Sequence, residues 1–178
     1  MTDTPRYSRW LRRLHWLIAL LVIAALVTIE IRGNFPRGSA LRSGLRSAHM
    51  QFGIAVLLLM LPRLLQRLRE RAPAIVPPLP SWQRIPAKLL HVALYALLFA
   101  LPLLGIAMMM IGGKPVAFLG IALPVAATPD AALSASLKDI HETLGEVLMW
   151  MAIVHVLAAL AHHALRRDTT LRRMLPPI

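Results

Sequence analysis

Residues 140–165 read IHETLGEVLMWMAIVHVLAALAHHAL. The stretch matches the roughly 20 residues that an α-helix needs to cross a ~30 Å hydrocarbon core. Leu, Ala and Met dominate it, with no strand-period alternation. Its first two histidines, His141 and His155, are 14 residues apart, which on a helix means about 21 Å of rise and about 40° of rotation. One helix therefore offers two imidazoles on one face at two depths. An ionisable group inside a membrane raises the free energy of the span, so its presence points to function.

Three more apolar stretches precede this one, at about 14–31, 48–65 (interrupted by Pro62 and Arg63) and 87–111. Together the four predict an all-α fold: an integral membrane four-helix bundle, up-down-up-down, in one domain spanning residues 1–178. The 66–86 connection holds Pro73, Pro77, Pro78, Pro80 and Pro86, which are expected to stop a helix. The 112–139 connection opens on Gly112, Gly113 and Pro115 and is long enough to fold over one end of the bundle. Arg9, Arg12 and Arg13 before the first span outline a secretory signal. Glu30, Arg32 and Phe35 then stand where a small-x-small cleavage site would be, so the span is expected to be retained.

Composition agrees with a membrane setting. Apolar residues make up 57% and charged residues 16%, against about 25% charged in a soluble domain, which leaves too little polar surface to clothe a water-soluble globule. The net charge of +12 would suggest nucleic acid in a soluble protein. Here the Arg residues are split between the edges of the spans, so lipid is the expected partner and nucleic acid is not. The absence of cysteine excludes disulfides, iron–sulfur clusters, thiolate metal sites and the covalent attachment of c-type haem.

Charge also orients the bundle. Arg6, Arg9, Arg12 and Arg13 lie on the side of the N-terminus, with Arg63, Arg67, Arg69, Arg71, Arg84 and Lys88 in the 62–88 segment and Arg166, Arg167, Arg172 and Arg173 in the tail. Only Arg32, Arg37, Arg42, Arg46, Lys114 and Lys138 fall on the other side. Both termini are therefore expected in the cytoplasm of a multi-pass inner-membrane protein.

The remaining histidines sort by depth. His49 opens span two on the outer side, level with His141; His15 and His91 lie at the inner ends of spans one and three. These positions suggest two axial pairs for non-covalent b-type haem: His49 with His141, and His155 with a partner from span one or span three. One turn after His15, His49, His141 and His155 come Ala19, Gly53, Gly145 and Ala159, which leave room for a porphyrin face. His91 is followed at that offset by Tyr95, and His162 and His163 by Arg166 and Arg167. A lone transmembrane imidazole more often bridges helices by a hydrogen bond; four at paired depths, each followed by a small residue, favour ligation. His141-Glu142 lacks the second histidine of a zinc-protease helix, because Gly145 stands there. Met108, Met109 and Met110 point in three directions and read as packing. Arg32, Arg37, Arg42 and Arg46 crowd a short outer connection with only Glu30 to offset them. They read either as headgroup binders or as a positive funnel that raises the encounter rate of a small anion, with haem propionates as natural partners for some.

The chain resembles the bacterial cytochrome b561 family. The resemblance is carried in order by YSRWLRRLHWLIALLVIAALVTIEIRGNFPR around His15, HMQFGI at His49, LPRLLQRL closing span two, HVALYALLFALPLLGIAMMM from His91, SLKDIHETLGEVL around His141, and HVLAALAHHAL followed by TTLRRMLP. It is closest to members that act as superoxide oxidases. The resemblance implies two b-type haems passing electrons from superoxide outside to ubiquinone in the membrane. It implies His15 and His155 as ligands of the inner haem iron and His49 and His141 of the outer one. His91 and His162 match family histidines that are not haem ligands and are expected at a quinone site. Arg32, Arg37, Arg42, Arg46 and Lys138 are the expected superoxide-steering residues. No obligatory protein partner is expected. The competing expectation is a di-haem electron-transfer subunit serving a separate dehydrogenase or hydrogenase, whose donor would dock on one face.

Overall fold

A computed structural model describes residues 6–176. Four helices are long and apolar enough to cross a membrane: α1 (Arg9–Ile31), α2 (Ala40–Arg69), α3 (Ser81–Ile111) and α4 (Ala131–Ala161). At 23 to 31 residues they run about 35–47 Å, so their ends project beyond the hydrocarbon. Local chemistry sets the starts. Ser8 accepts from Leu11 N at 3.2 Å, Ser39 from Arg42 N at 3.2 Å and Asp130 from Leu133 N at 2.9 Å, each satisfying a donor that the first turn leaves open.

The packing inverts that of a soluble protein. Leu20, Ile23, Val92 and Leu157 are more than half exposed, because lipid rather than the core is their apolar partner. The interior is correspondingly slim: Ile18, Val56 and Met60 are buried against Tyr95, Leu98 and Phe99. Consecutive helices pack antiparallel, α1 most closely on α2 and α3 on α4.

Proline does not stop the helices where the sequence suggests. Pro62 lies inside α2, and Pro86 and Pro102 lie inside α3. Pro86 is expected in the connection, yet α3 starts before it at Ser81. Each proline removes one backbone donor, and in a membrane bundle neighbouring helices and local adjustment offset that loss. The fourth helix likewise starts at Ala131, well before Ile140.

The α3–α4 connection folds back on the end of α3. Ala126 N donates to Met110 O at 3.0 Å, Asp130 N to Ile111 O at 3.0 Å and Ser134 Oγ to Met108 O at 2.8 Å, so carbonyls that the last turn would leave open are satisfied. Within it, β1 (Ala117–Phe118) and β2 (Ile121–Ala122) pair antiparallel around Leu119-Gly120, both at positive φ. The Gln51 side chain grips this hairpin, donating to Ala117 O at 2.5 Å and accepting from Leu119 N at 3.3 Å.

The opposite, terminal end is closed by the tail. After α4 a single π-helical turn, His162–Arg166, ends at Arg167 in the left-handed region. The chain then crosses the bundle end. Thr169 N donates to Val76 O and Val76 N to Thr169 Oγ1, both at 3.0 Å. Tyr7 N donates to Arg173 O at 3.2 Å and Trp16 Nε1 to Met174 O at 2.9 Å.

Candidate functional site

Every long helix contributes an imidazole, and the imidazoles gather at two levels. Toward the hairpin end, His49 of α2 faces His141 of α4 with ring centroids 6.1 Å apart and planes at 83°. Toward the terminal end, His15 of α1 faces His155 of α4 at 6.3 Å and 74°. Two metal–nitrogen bonds of about 2 Å, plus about 1 Å from each nitrogen to its ring centre, come to roughly 6 Å. Each pair thus has the separation of two imidazoles sharing one metal ion. His91 is nearer to His155, at 5.3 Å and 90°, which is edge-to-face ring contact. Among the described residues no three His, Cys, Asp or Glu side chains cluster as a metal site. Pairs of this kind suit a metal whose other donors come from a macrocycle.

The neighbours of the His49–His141 pair fit such a planar group. A cavity of about 480 Å³ opens between all four helices and is lined by both imidazoles together with Gly53 and Gly145, inside the roughly 300–1,000 Å³ typical of cofactor sites. A Cβ at either glycine would meet no atom within 4 Å, so the helix backbone itself forms an open wall. Gly105 serves differently. A Cβ there would come 3.3 Å from His141 Cε1, and its absence lets the ring lie against α3. His49 Nδ1 donates to Ala25 O at 2.9 Å, which fixes the tautomer and leaves Nε2 with its lone pair free to ligate. His141 Nδ1 is buried without a partner in the protein, an orphan polar atom of the kind a ligand satisfies.

The outer cations divide. Arg32, Arg46 and Lys138 line the cavity, as does Lys114, which sequence reasoning did not single out. Arg37 does not line it, and Arg42 turns away to donate to Phe35 O at 2.7 Å, stapling the α1–α2 connection. Glu30, Glu142 and Glu146 line the same cavity, and Lys138 is paired with Glu142 at 2.7 Å. The unpaired cations among the lining residues are therefore Arg32, Arg46 and Lys114.

His162 lies in the π-turn and donates from Nδ1 to Asp168 Oδ2 at 2.5 Å. Asp168 is 2% exposed and also accepts from Thr170 N at 2.8 Å. Burial pushes the Asp168 carboxyl up, but the hydrogen bonds from Thr170 and His162 outweigh it and hold it below its ordinary value. Asp168 is a residue that sequence reasoning missed. Its partner lies six positions away, and only the π-turn and the left-handed Arg167 bring the two together. His91 is exposed and donates from Nδ1 to Ala87 O within its own helix.

Comparison with known proteins identifies the family. A family profile described as prokaryotic cytochrome b561 matches residues 6–177. The chain is 42% identical over 171 residues to cytochrome b561 homolog 1 of Escherichia coli (strain K12), covering 96% of this chain and 97% of the relative. It is 38% identical over 172 residues to the probable superoxide oxidase CybB of Yersinia pestis, covering 96% of each. Cytochrome b561 homolog 2 of Escherichia coli (strain K12) is 30% identical over 182 residues, covering 98% of this chain and 94% of the relative.

Proposed function

The chain belongs to the prokaryotic cytochrome b561 family of membrane electron-transfer proteins, and on that footing we propose that it is a superoxide:ubiquinone oxidoreductase built as one transmembrane domain. In this reading the hairpin end faces the periplasm and both termini face the cytoplasm of a bacterial inner membrane, as the Arg and Lys distribution favours. Superoxide is oxidised at the outer end, and ubiquinone is reduced at the inner one.

The observation that carries the proposal is the stacking of two imidazole pairs along α4, at 6.1 and 6.3 Å. His49 and His141 are the outer ligands, His15 and His155 the inner ones. When bound, two b-type haems supply one-electron carriers at the two levels. The chain's own work is to hold, orient and steer. The Ala25 carbonyl keeps the His49 ring in one tautomer. Gly53 and Gly145 keep the helix walls flat. Arg32, Arg46 and Lys114 give the outer cavity its unpaired positive charge, which attracts a small anion; Arg37 and Arg42 add to the field from the adjoining connection. Lys138 contributes less, because Glu142 offsets it.

At the inner end, His162 is the proposed quinone donor, with His91 of α3 as the second proposed quinone-site histidine. With Nδ1–H committed to Asp168, Nε2 holds the lone pair of the neutral ring and donates to a quinone oxygen only when the ring carries its second proton. The overall chemistry balances. Two superoxide anions each give up one electron and leave as oxygen, while ubiquinone takes both electrons and two protons to become ubiquinol. The 38% identity to a protein named a probable superoxide oxidase supports superoxide as the donor.

The test is a visible spectrum of the purified protein during superoxide generation, with and without ubiquinone. Both haems should be reduced rapidly, then reoxidised with formation of quinol when quinone is supplied. Haems that superoxide leaves oxidised would assign the chain instead to a dehydrogenase or hydrogenase as its electron-carrying subunit. A chain that takes up no haem would defeat both readings.

A further inference from the structure

Arg63 sits inside the spanning part of α2, where a guanidinium needs an anion or a set of acceptors. It has five donors. One of them, on Nη1, is given to the backbone oxygen of Leu11 at 3.2 Å. No carboxylate of the described residues lies within ion-pair distance, since the two pairs found are Lys138–Glu142 and His162–Asp168. The guanidinium carbon lies 5.7 Å from the centre of the Tyr95 ring. The Tyr95 hydroxyl is buried and without a hydrogen-bond partner, although it can donate one bond and accept others. Leu11 is one helical turn from His15, and Tyr95 one turn from His91. An underused cation and an orphan hydroxyl therefore stand side by side at the level of the inner imidazoles.

We propose that Arg63 and Tyr95 form a carboxylate site that holds a propionate of the inner porphyrin. The inference rests on the reading of His15 and His155 as haem ligands. A propionate brings one negative charge and two coplanar oxygens, which match the guanidinium fork, with lone pairs left for the tyrosine hydroxyl. A lipid phosphate has similar charge and acceptors, but the surroundings disfavour its reach: Leu11 is 2% exposed and Met60, one turn before Arg63, is 0% exposed. The bond to Leu11 O and the Tyr95 ring hold the guanidinium in place in advance, so little side-chain freedom is lost on binding. A cation in this position favours the electron-rich form of its neighbour, so Arg63 also sets the inner midpoint potential.

The experiment is a spectroscopic redox titration of the haem-loaded protein in lipid nanodiscs, with haem per chain measured alongside. Arg63→Gln should lower the inner midpoint by about tenfold in the reduction equilibrium, about 59 mV for one electron, and leave the outer one unmoved. Arg63→Lys should restore most of it. Tyr95→Phe should shift it the same way by less, and it keeps the ring should Arg63→Gln fail to fold. Wild-type protein loaded with the dimethyl ester of haem, which lacks the propionate charge and leaves the guanidinium unopposed, should move the inner midpoint the other way, upward. Unchanged midpoints in Arg63→Gln and Tyr95→Phe at full haem content would overturn the assignment. So would an inner midpoint indifferent to esterification, or one that follows the anionic lipid content instead. A chain without haem would mark failure of the underlying ligand reading, a separate and visible outcome.

Discussion

His162 and Asp168 are joined by a 2.5 Å hydrogen bond in which the carboxylate is almost wholly enclosed, at 2% exposure. The bond ties the last turn of the fourth helix to the tail that crosses the terminal end. Asp168→Asn replaces a charged acceptor by a neutral one, and hydrogen bonds to charged groups contribute about 1.5–3 kcal/mol. The variant should unfold at lower temperature in detergent at pH 7 by a loss of that order, read from a thermal melt followed by circular dichroism.

The same bond predicts a pH dependence. The Asp168 carboxyl is held below its ordinary value in the fold, so its stabilisation is complete above the unfolded pKa, about 3.9. It is lost as pH falls through the lower folded value. Melting temperature in the wild type should therefore contain a component that is flat from pH 7 to about 5 and declines below about 4. Asp168→Asn should lack that component; equal acid sensitivity in the two proteins would refute the assignment.

Ligand replacement separates the histidines. His49→Ala or His141→Ala should abolish one haem per chain and spare the other, as should His15→Ala or His155→Ala at the second level. His91→Ala should keep both, because its 5.3 Å approach to His155 is ring contact. Pyridine haemochrome content per purified chain measures each case. Loss of a haem in His91→Ala with retention in His15→Ala would reverse the inner assignment.

Filling the glycine wall gives a steric test. Gly145→Leu places a side chain where a Cβ now meets nothing within 4 Å, inside the cavity between the four helices. The outer haem should be lost while helix content is retained. Retention of both haems in Gly145→Leu and Gly53→Leu alike would show that the porphyrin lies elsewhere.

Steering predicts a salt effect. Replacing Arg32 and Arg46 together by Gln should slow superoxide-driven haem reduction by about tenfold at low ionic strength. It should also flatten the fall in rate that wild type shows as the Debye length shrinks from about 30 to about 8 Å. Arg37→Gln should do much less, since its side chain does not line the cavity. Equal rates in wild type and the double variant would remove the funnel from the mechanism.

Hydropathy and histidine spacing are local properties, so the four spans and the depths of His49, His141 and His155 could be read directly from residue order. Proline was a poorer guide. Pro62 and Pro86 look like breaks in one dimension, yet both are carried inside helices because packing and a low-dielectric surround sustain the flanking hydrogen bonds. Side-chain direction was illegible as well. Arg42 sits among the outer arginines in sequence but spends its guanidinium on Phe35 O. Lys114 reaches the cavity from a connection whose course depends on Gln51 and the end of α3. The contacts of the tail with Val76, Tyr7 and Trp16 join segments far apart in the chain, and no periodicity announces them.

The two imidazole pairs have one helix in common, since α4 supplies His141 to the first and His155 to the second. During synthesis that helix is the last of the four to enter the bilayer. Until it arrives, His15 and His49 have no opposite number, and neither level can grip a cofactor from both faces. Under the proposed ligation, biogenesis has a built-in order: the first three helices can be inserted and even paired without binding competence, and both levels become competent in a single event. A nascent chain stalled before the fourth span would be apo at both levels rather than half loaded.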